Sequence, residues 1–224
     1  MTFSIVARSA DARLFGVAIA SSSPAVAARC MHGRAGVGAV ATQNITDPSL
    51  GPGVLDVLGR GLKARGALDE VLSATPFAAY RQLLAIGREG PPAIHSGAHG
   101  LGVVNAAVGA NAAAAGNLLA SPAVPAAMIR AFEAATGHFG DCLLQALHAG
   151  LDTGGEAGPV HSAGLLIVRD VSWPIVDLRV DWSDEGPVAA LGAIWRLYAP
   201  QIDDYVRRAI DPSRAPSYGV PGDL

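Results

Sequence analysis

The stretch from Thr2 to Ser23 constrains this chain most. It reads TFSIVARS, then ADAR, then LFGVAIASSS. Phe3, Ile5 and Ala7 alternate with Ser4, Val6 and Arg8, and beyond a short polar turn Phe15, Val17 and Ile19 alternate with Gly16, Ala18 and Ala20. Period-two patterning on both sides of a turn predicts a β-hairpin. Folded about Ala10–Asp11, the hairpin sets Thr2 opposite roughly Ala20 and brings Ser21, Ser22 and Ser23 beside the start of the chain. Thr2 follows Met1 directly, and a small second residue generally permits removal of the initiator methionine. The first strand is then headed by a threonine with a free α-amine, a nucleophile with a built-in base. An α-amine with an unperturbed pKa of about 7.7–8.0 lies near the range a general base needs.

A length of 224 residues suits one large domain with a substantial core. Hydrophobic residues make up 50% but aromatic ones only 5%, so alanine and valine do most of the packing. Charged residues are 16%, against about 25% in typical soluble domains. Part of the surface is therefore expected to be buried between copies, as a homo-oligomer, dimer or larger. A net charge of −3 without a basic tract argues against nucleic-acid binding. Cys30 and Cys142 lie far apart with no metal-type spacing, which fits a reducing cytoplasm better than a disulfide framework. Leu14–Ala20 imitates a signal peptide, but Asp11 sits in the supposed positive region and the alternation accounts for the residues as strand. No membrane span is expected: the apolar run 107–120 is interrupted by Gly109, Asn111, Gly116 and Asn117.

Further along, residues 25–33 fit either a loop or one helical turn, and Ala35–Gln43 reads as a buried strand. Val54–Arg65 has helical spacing and Gly66 stops it; 68–74 is a second short helix. Tyr80–Gly87 and Ala93–Ser96 read as strands, with strand and loop pieces over 99–106 and 112–117. Ser121-Pro122 predicts a helix start, running to about Thr136, and Phe139–Ala149 a second helix. Strands follow over 162–169 and 175–182, then a long helix over 187–210, interrupted at Pro200. Antiparallel hairpins with helices arriving in pairs predict a four-layer αββα sandwich or a generic α+β domain over 1–210, with 211–224 as an extended tail.

Several residues are candidates for chemistry. Thr2 leads as nucleophile. Ser22 lies beside it, and Asn44 and Asn117 carry amides suited to an oxyanion hole. Arg29, His32 and Arg34, around the third strand, are candidates to anchor an acidic substrate group, the arginines by bidentate contact. His161-Ser162-Ala163-Gly164 resembles half of a G-x-S-x-G elbow, but the expected strand follows Ser162 instead of preceding it. Pocket-lining roles for His161 and Ser162 are preferred to a serine hydrolase on Ser162. His95 and His99 are four apart but lack a third ligand, so no metal is expected, and Gly100-Leu101-Gly102 lacks the setting of a nucleotide loop. No cofactor is implied.

Taken together, TFSIVARS, ASSSPAVAARC, RAGVGAVATQN, AGNLLASP, HSAGLLIV with VDLRVDW, and the ending YAPQ…PSYGVPGD resemble a bacterial family, the domain of unknown function 1028. That resemblance spans nearly the whole chain. It implies an N-terminal-nucleophile (Ntn) hydrolase-like αββα sandwich with mainly antiparallel sheets, and it places Thr2 at the nucleophile position of the first strand. The proteasome-like pattern also has a lysine on the third strand; here the only lysine, Lys63, falls in a helix beyond it. The expectation is an amidohydrolase of a small C–N substrate using Thr2. The alternative is a non-catalytic member that binds a small ligand or partner in the same cleft. The Ser162 hydrolase comes third.

Overall fold

The structure, a computed structural model, describes residues 2–220. Met1, whose removal the nucleophile reading requires, and 221–224 of the expected tail lie outside the described residues.

A six-stranded antiparallel sheet contains β1 (Thr2–Arg8), β2 (Phe15–Ser21), β7 (Asn105–Val108), β8 (Ala112–Asn117), β9 (Ser162–Val168) and β10 (Val176–Val180), in the order β10-β9-β2-β1-β8-β7. A four-stranded antiparallel sheet holds β3 (Met31–Arg34), β4 (Gly38–Asn44), β5 (Arg81–Gly87) and β6 (Ala93–Ser96) in chain order. The helices are α1 (Val26–Cys30), α2 (Leu50–Gly59), α3 (Ala64–Ser73), α4 (Val124–Ala134), α5 (Phe139–Asp152), α6 (Pro187–Tyr198) and α7 (Ile202–Ile210). Among the described residues, no helix is long and apolar enough to cross a membrane.

The alternation in each strand sorts its side chains into layers. Phe3, Ile5 and Ala7 of β1 pack with Met128 of α4, Leu143 and Leu147 of α5 and Leu191 and Trp195 of α6. The opposite face contributes Val6, Val17, Ile19, Ala113 and Leu166 to a second core, where they meet Ala39, Ala41, Leu84 and Ile86 of the smaller sheet. The outer face of that sheet packs Val40, Leu83 and Ala85 on Val54, Leu58 and Leu68 of α2 and α3. The result is a four-layer αββα sandwich. Phe3 and Ile5 are wholly buried, and burial of a side chain of that size stabilises the fold by about 1.5–3 kcal/mol.

The opening hairpin forms, one residue out of the expected register. Phe3 pairs with Ala20, so Thr2 falls beside Ser21. The turn is longer than a fold at Ala10–Asp11: Arg8 pairs with Phe15, Ser9 N–H donates to Leu14 O, and Ala12 takes a left-handed φ of 54°. The Ser9 hydroxyl accepts the N–H groups of Arg13 and Leu14 and so holds the wider loop. The ambiguous segment 25–33 becomes α1 and the four-residue edge strand β3, too short to show alternation. The helix expected over 54–65 begins earlier and ends at Gly59, because Gly61 takes a φ of +94° that breaks it before α3. The helix expected at Ser121 begins at Val124, with the Ser121 hydroxyl accepting the Ala123 N–H. Pro200 sits in a 3-10 turn between α6 and α7.

Candidate active site

Inward-facing positions change character along the strands. Toward Arg8 they are apolar, and toward Thr2 they are polar. Thr2 and Ser4 of β1, Ser21 of β2, Asn117 of β8, Ser162 of β9, Gln43 of β4 and Gln82 of β5 all fall on the inter-sheet side by the strand period. All seven are buried, as is Glu156 on the loop between α5 and β9. The remaining buried polar residue among those described is Thr42, which faces outward and donates to Asp47 O.

Two glutamines join the sheets here. Ser4 Oγ donates to Gln43 Oε1 at 2.7 Å, and Gln43 Nε2 donates to Gln82 Oε1 at 2.8 Å and to Ala115 O at 3.2 Å. Gln82 Nε2 donates to Ser96 Oγ and Gly116 O, and Asn117 Nδ2 donates to Gln82 Oε1 at 3.3 Å. The amides thus form a continuous network beneath the first strand. Asn117 Oδ1 is buried without a hydrogen-bond partner, an acceptor that costs stability where it stands.

Thr2 lies at the head of this network. It is 6% exposed, pairs with Asn117 across β1 and β8, and its Oγ1 donates to Ser21 Oγ at 3.3 Å. Ser21 Oγ also accepts the Ser23 N–H. Ser22 holds Glu156: its N–H reaches both carboxylate oxygens, at 3.0 and 3.1 Å, and its side chain hydrogen-bonds the same group. Burial raises the Glu156 pKa from the usual 4.5 to about 7, against the lowering pull of the Ser22 hydrogen bond.

The other candidates divide by position. His161 N–H donates to Ser21 O, its ring stacks on Trp182 with centroids 4.2 Å apart, and Nδ1 lies 3.1 Å from an Asp184 carboxylate oxygen without hydrogen-bond alignment. Ser162 Oγ donates to Ser23 O at 2.6 Å and accepts the Val26 N–H at 3.3 Å, tying β9 to the turn after β2. Asn44 stands in the left-handed region at φ 72°; its amide donates to Tyr80 O and its Oδ1 accepts the Leu101 N–H. It is a clamp on the loop after β6, so its amide is already engaged. Arg29 is half-buried and donates to Pro24 O and Ala25 O.

The structure does not bring His32 and Arg34 to Thr2, which corrects their reading as substrate anchors. The His32 ring packs on Gly51 of α2, on the outer side of the smaller sheet, and burial lowers its pKa. Arg34 is at the opposite rim: it pairs with Gly38, Gly38 pairs with Gly87, and Gly87 O accepts from Arg8 at the far end of β1. There it makes an exposed 2.7 Å ion pair with Asp56. The reason is topological, since β3 and β4 join by a tight turn at that rim.

Gln82 and Glu156 escaped the sequence reading, and Gln43 stands in it only as a polar end of the expected third strand. Gln43 and Gln82 carried one usable signal, as polar residues at inward positions of otherwise apolar strands. Glu156 sits in a Gly-rich loop and carried none.

The fold is a four-layer αββα sandwich with a buried threonine opening its central strand on the inter-sheet face. The chain belongs to the family described as "Family of unknown function (DUF1028)", which matches residues 2–191. The crystal structure of protein SPO2555 from Silicibacter pomeroyi, of the same family, superposes with a TM-score of 0.82 at 30% identity, covering 91% of this chain and 94% of that one. BPH of Thiobacillus denitrificans in complex with epoxomicin has a TM-score of 0.41 at 12% identity, over 75% of this chain and 99% of that one. Anbu, an ancestral β-subunit from Yersinia bercovieri, has 0.39 at 12% identity, over 91% and 97%. Likenesses that slight leave function to the site itself. No curated protein matches the chain.

Proposed function

We propose that this protein is an Ntn-type amidohydrolase that cleaves a C–N bond of a small substrate through Thr2, exposed as the first residue when Met1 is removed. The observation that supports this most is the position of Thr2: it heads a central strand, faces between the sheets, and lies where the buried polar residues gather. In this reading Thr2 Oγ1 attacks the carbonyl and the Thr2 α-amine takes the hydroxyl proton. Backbone N–H groups and the Asn117 amide N–H not bonded to Gln82 hold the oxyanion, a contribution of about 10²–10³ in rate for one good donor. The amine then protonates the leaving nitrogen, and water hydrolyses the acyl-enzyme. Ser21, whose hydroxyl meets Thr2 Oγ1, orients the nucleophile.

A homo-oligomer belongs to the same reading. It is supported by exposed apolar side chains such as Leu197 (73%) and Ile210 (63%), which a monomer leaves in water. Light scattering tests it.

The function is tested by the intact mass of untagged protein, followed by a panel of small amides with wild type and Thr2→Ala. The expected result is a mass lacking one methionine and hydrolysis that Thr2→Ala abolishes. A retained Met1, or equal rates in the two proteins, ends the proposal; binding without turnover favours a ligand-binding member.

A further inference from the structure

Glu156 is the only acidic residue in the buried polar set among the described residues, at 4% exposure. Its backbone is pinned by a bridge with Leu119, flanked by Ala120 N–H to Gly155 O and Ala157 N–H to Leu118 O. The carboxylate therefore sits on a fixed frame between the ends of β8 and β2. Its hydrogen bonds come from one residue, Ser22, whose N–H reaches both oxygens and whose side chain also bonds the carboxylate.

The groups around it are hydroxyls and amides. The start of β1 offers Thr2, the end of β2 offers Ser21 and Ser22, and the end of β8 offers Asn117. No charged side chain of the described residues acts on it. Chain direction points to a cationic partner. β1 and β2 are antiparallel, so moving from the Thr2 Cα toward its own nitrogen runs along β2 from Ser21 toward Ser22, the residue that holds Glu156.

We infer that Glu156 is the positioning residue of the Thr2 α-amino group, holding the ammonium of the processed chain and exchanging its proton. The inference rests on the Thr2 reading given above. In the step, an N–H bond of the ammonium breaks and an O–H bond forms on Glu156. The freed lone pair on nitrogen is the base that takes the Thr2 hydroxyl proton. The protonated Glu156 returns its proton when the cycle closes. Burial raises the carboxylate's proton affinity toward that of the amine, so neither direction of exchange is steeply uphill.

The test uses protein released from a fusion whose cleavage leaves Thr2 first. The chain has five glutamates, so carboxyl-13C-glutamate labelling gives a countable spectrum, and Glu156→Gln identifies the Glu156 signal. The expected result is a Glu156 signal that moves in two steps with pH, the second at the midpoint of the Thr2 α-amine. In Glu156→Gln the α-amine midpoint, read by 15N, falls by about one unit because the opposite charge is gone. A single-step Glu156 titration, or an α-amine midpoint equal in the two proteins, overturns the inference. If Glu156→Gln does not fold, the number of steps in the wild-type titration decides alone. Neither readout needs turnover. An inactive protein with a paired Glu156 therefore sinks the amidohydrolase reading only, and an active one with an unpaired Glu156 sinks the pairing only.

Discussion

Ser4 and Gln43, on different sheets, meet in a 2.7 Å hydrogen bond two residues along β1 from Thr2. Both are wholly buried, and Gln43 passes the connection on to Gln82. This contact closes the polar end of the inter-sheet space and fixes how the central strand lies over the smaller sheet.

Gln43→Met keeps the volume and removes every polar contact of that side chain. It leaves Ser4 Oγ without its acceptor and Gln82 Oε1 without its shorter donor. The orphaned Ser4 hydroxyl costs about 1–3 kcal/mol and the lost Gln43–Gln82 bond about 0.5–1.5 kcal/mol, so a total loss of about 2–4 kcal/mol is expected. Urea unfolding at constant m-value measures it. An unchanged midpoint would show that the network carries no stability.

Glu156 makes stability depend on pH with a particular sign. Its folded pKa is raised from 4.5 to about 7, so between those values the folded state binds the proton and the unfolded state does not. Stability then falls as pH rises through that window, by up to about 3 kcal/mol for this one group. His32 acts the other way: burial lowers its folded pKa below 6.5, so its contribution is present above 6.5 and is lost as pH falls. Denaturant titrations of wild type and Glu156→Gln at pH 5 and pH 7.5 separate the two. The difference in stability change between the proteins is the Glu156 part, and parallel curves would refute it.

Asn44 combines a left-handed backbone with a side-chain clamp on the Leu101 loop. Asn44→Gly keeps the backbone conformation and loses the clamp; Asn44→Ala loses both. The alanine variant is expected to be the less stable by about 1 kcal/mol. In both, the Leu101 N–H exchanges faster. Unchanged exchange at Leu101 would remove the clamp role.

Ser162→Ala separates a structural serine from a nucleophile. Its hydroxyl bridges Ser23 O and the Val26 N–H. Removing it is expected to cost about 1–3 kcal/mol, with activity falling no further than the fraction of folded protein. Thermal unfolding and turnover measured on the same sample check this. A folded variant that has lost all turnover would revive the serine-hydrolase mechanism.

Local chemistry carried much of the architecture. The alternation of Phe3, Ile5 and Ala7 with Ser4 and Val6 is enough to make β1 a strand with two buried faces, because the side-chain period of a strand is two. Strand β5 and the break at Pro200 were equally plain, since residue preference alone produces them. Thr2 was legible as a candidate because its chemistry lies in one residue.

What surrounds Thr2 was decided only in three dimensions. Gln43, Gln82, Asn117 and Glu156 are separated by long stretches of chain and share no motif; pairing of non-consecutive strands brings them to one end of one cleft. The wider Ser9–Leu14 turn set the hairpin register, and that single residue put Ser21 beside Thr2 where Ala20 was expected. The tight β3–β4 turn sent Arg34 to the far rim. By itself the sequence determined which segments are strands and which faces they bury, because those follow from nearest-neighbour periodicity. The tertiary structure decided the company of the threonine, because register and strand order depend on loop geometry and on packing between distant segments.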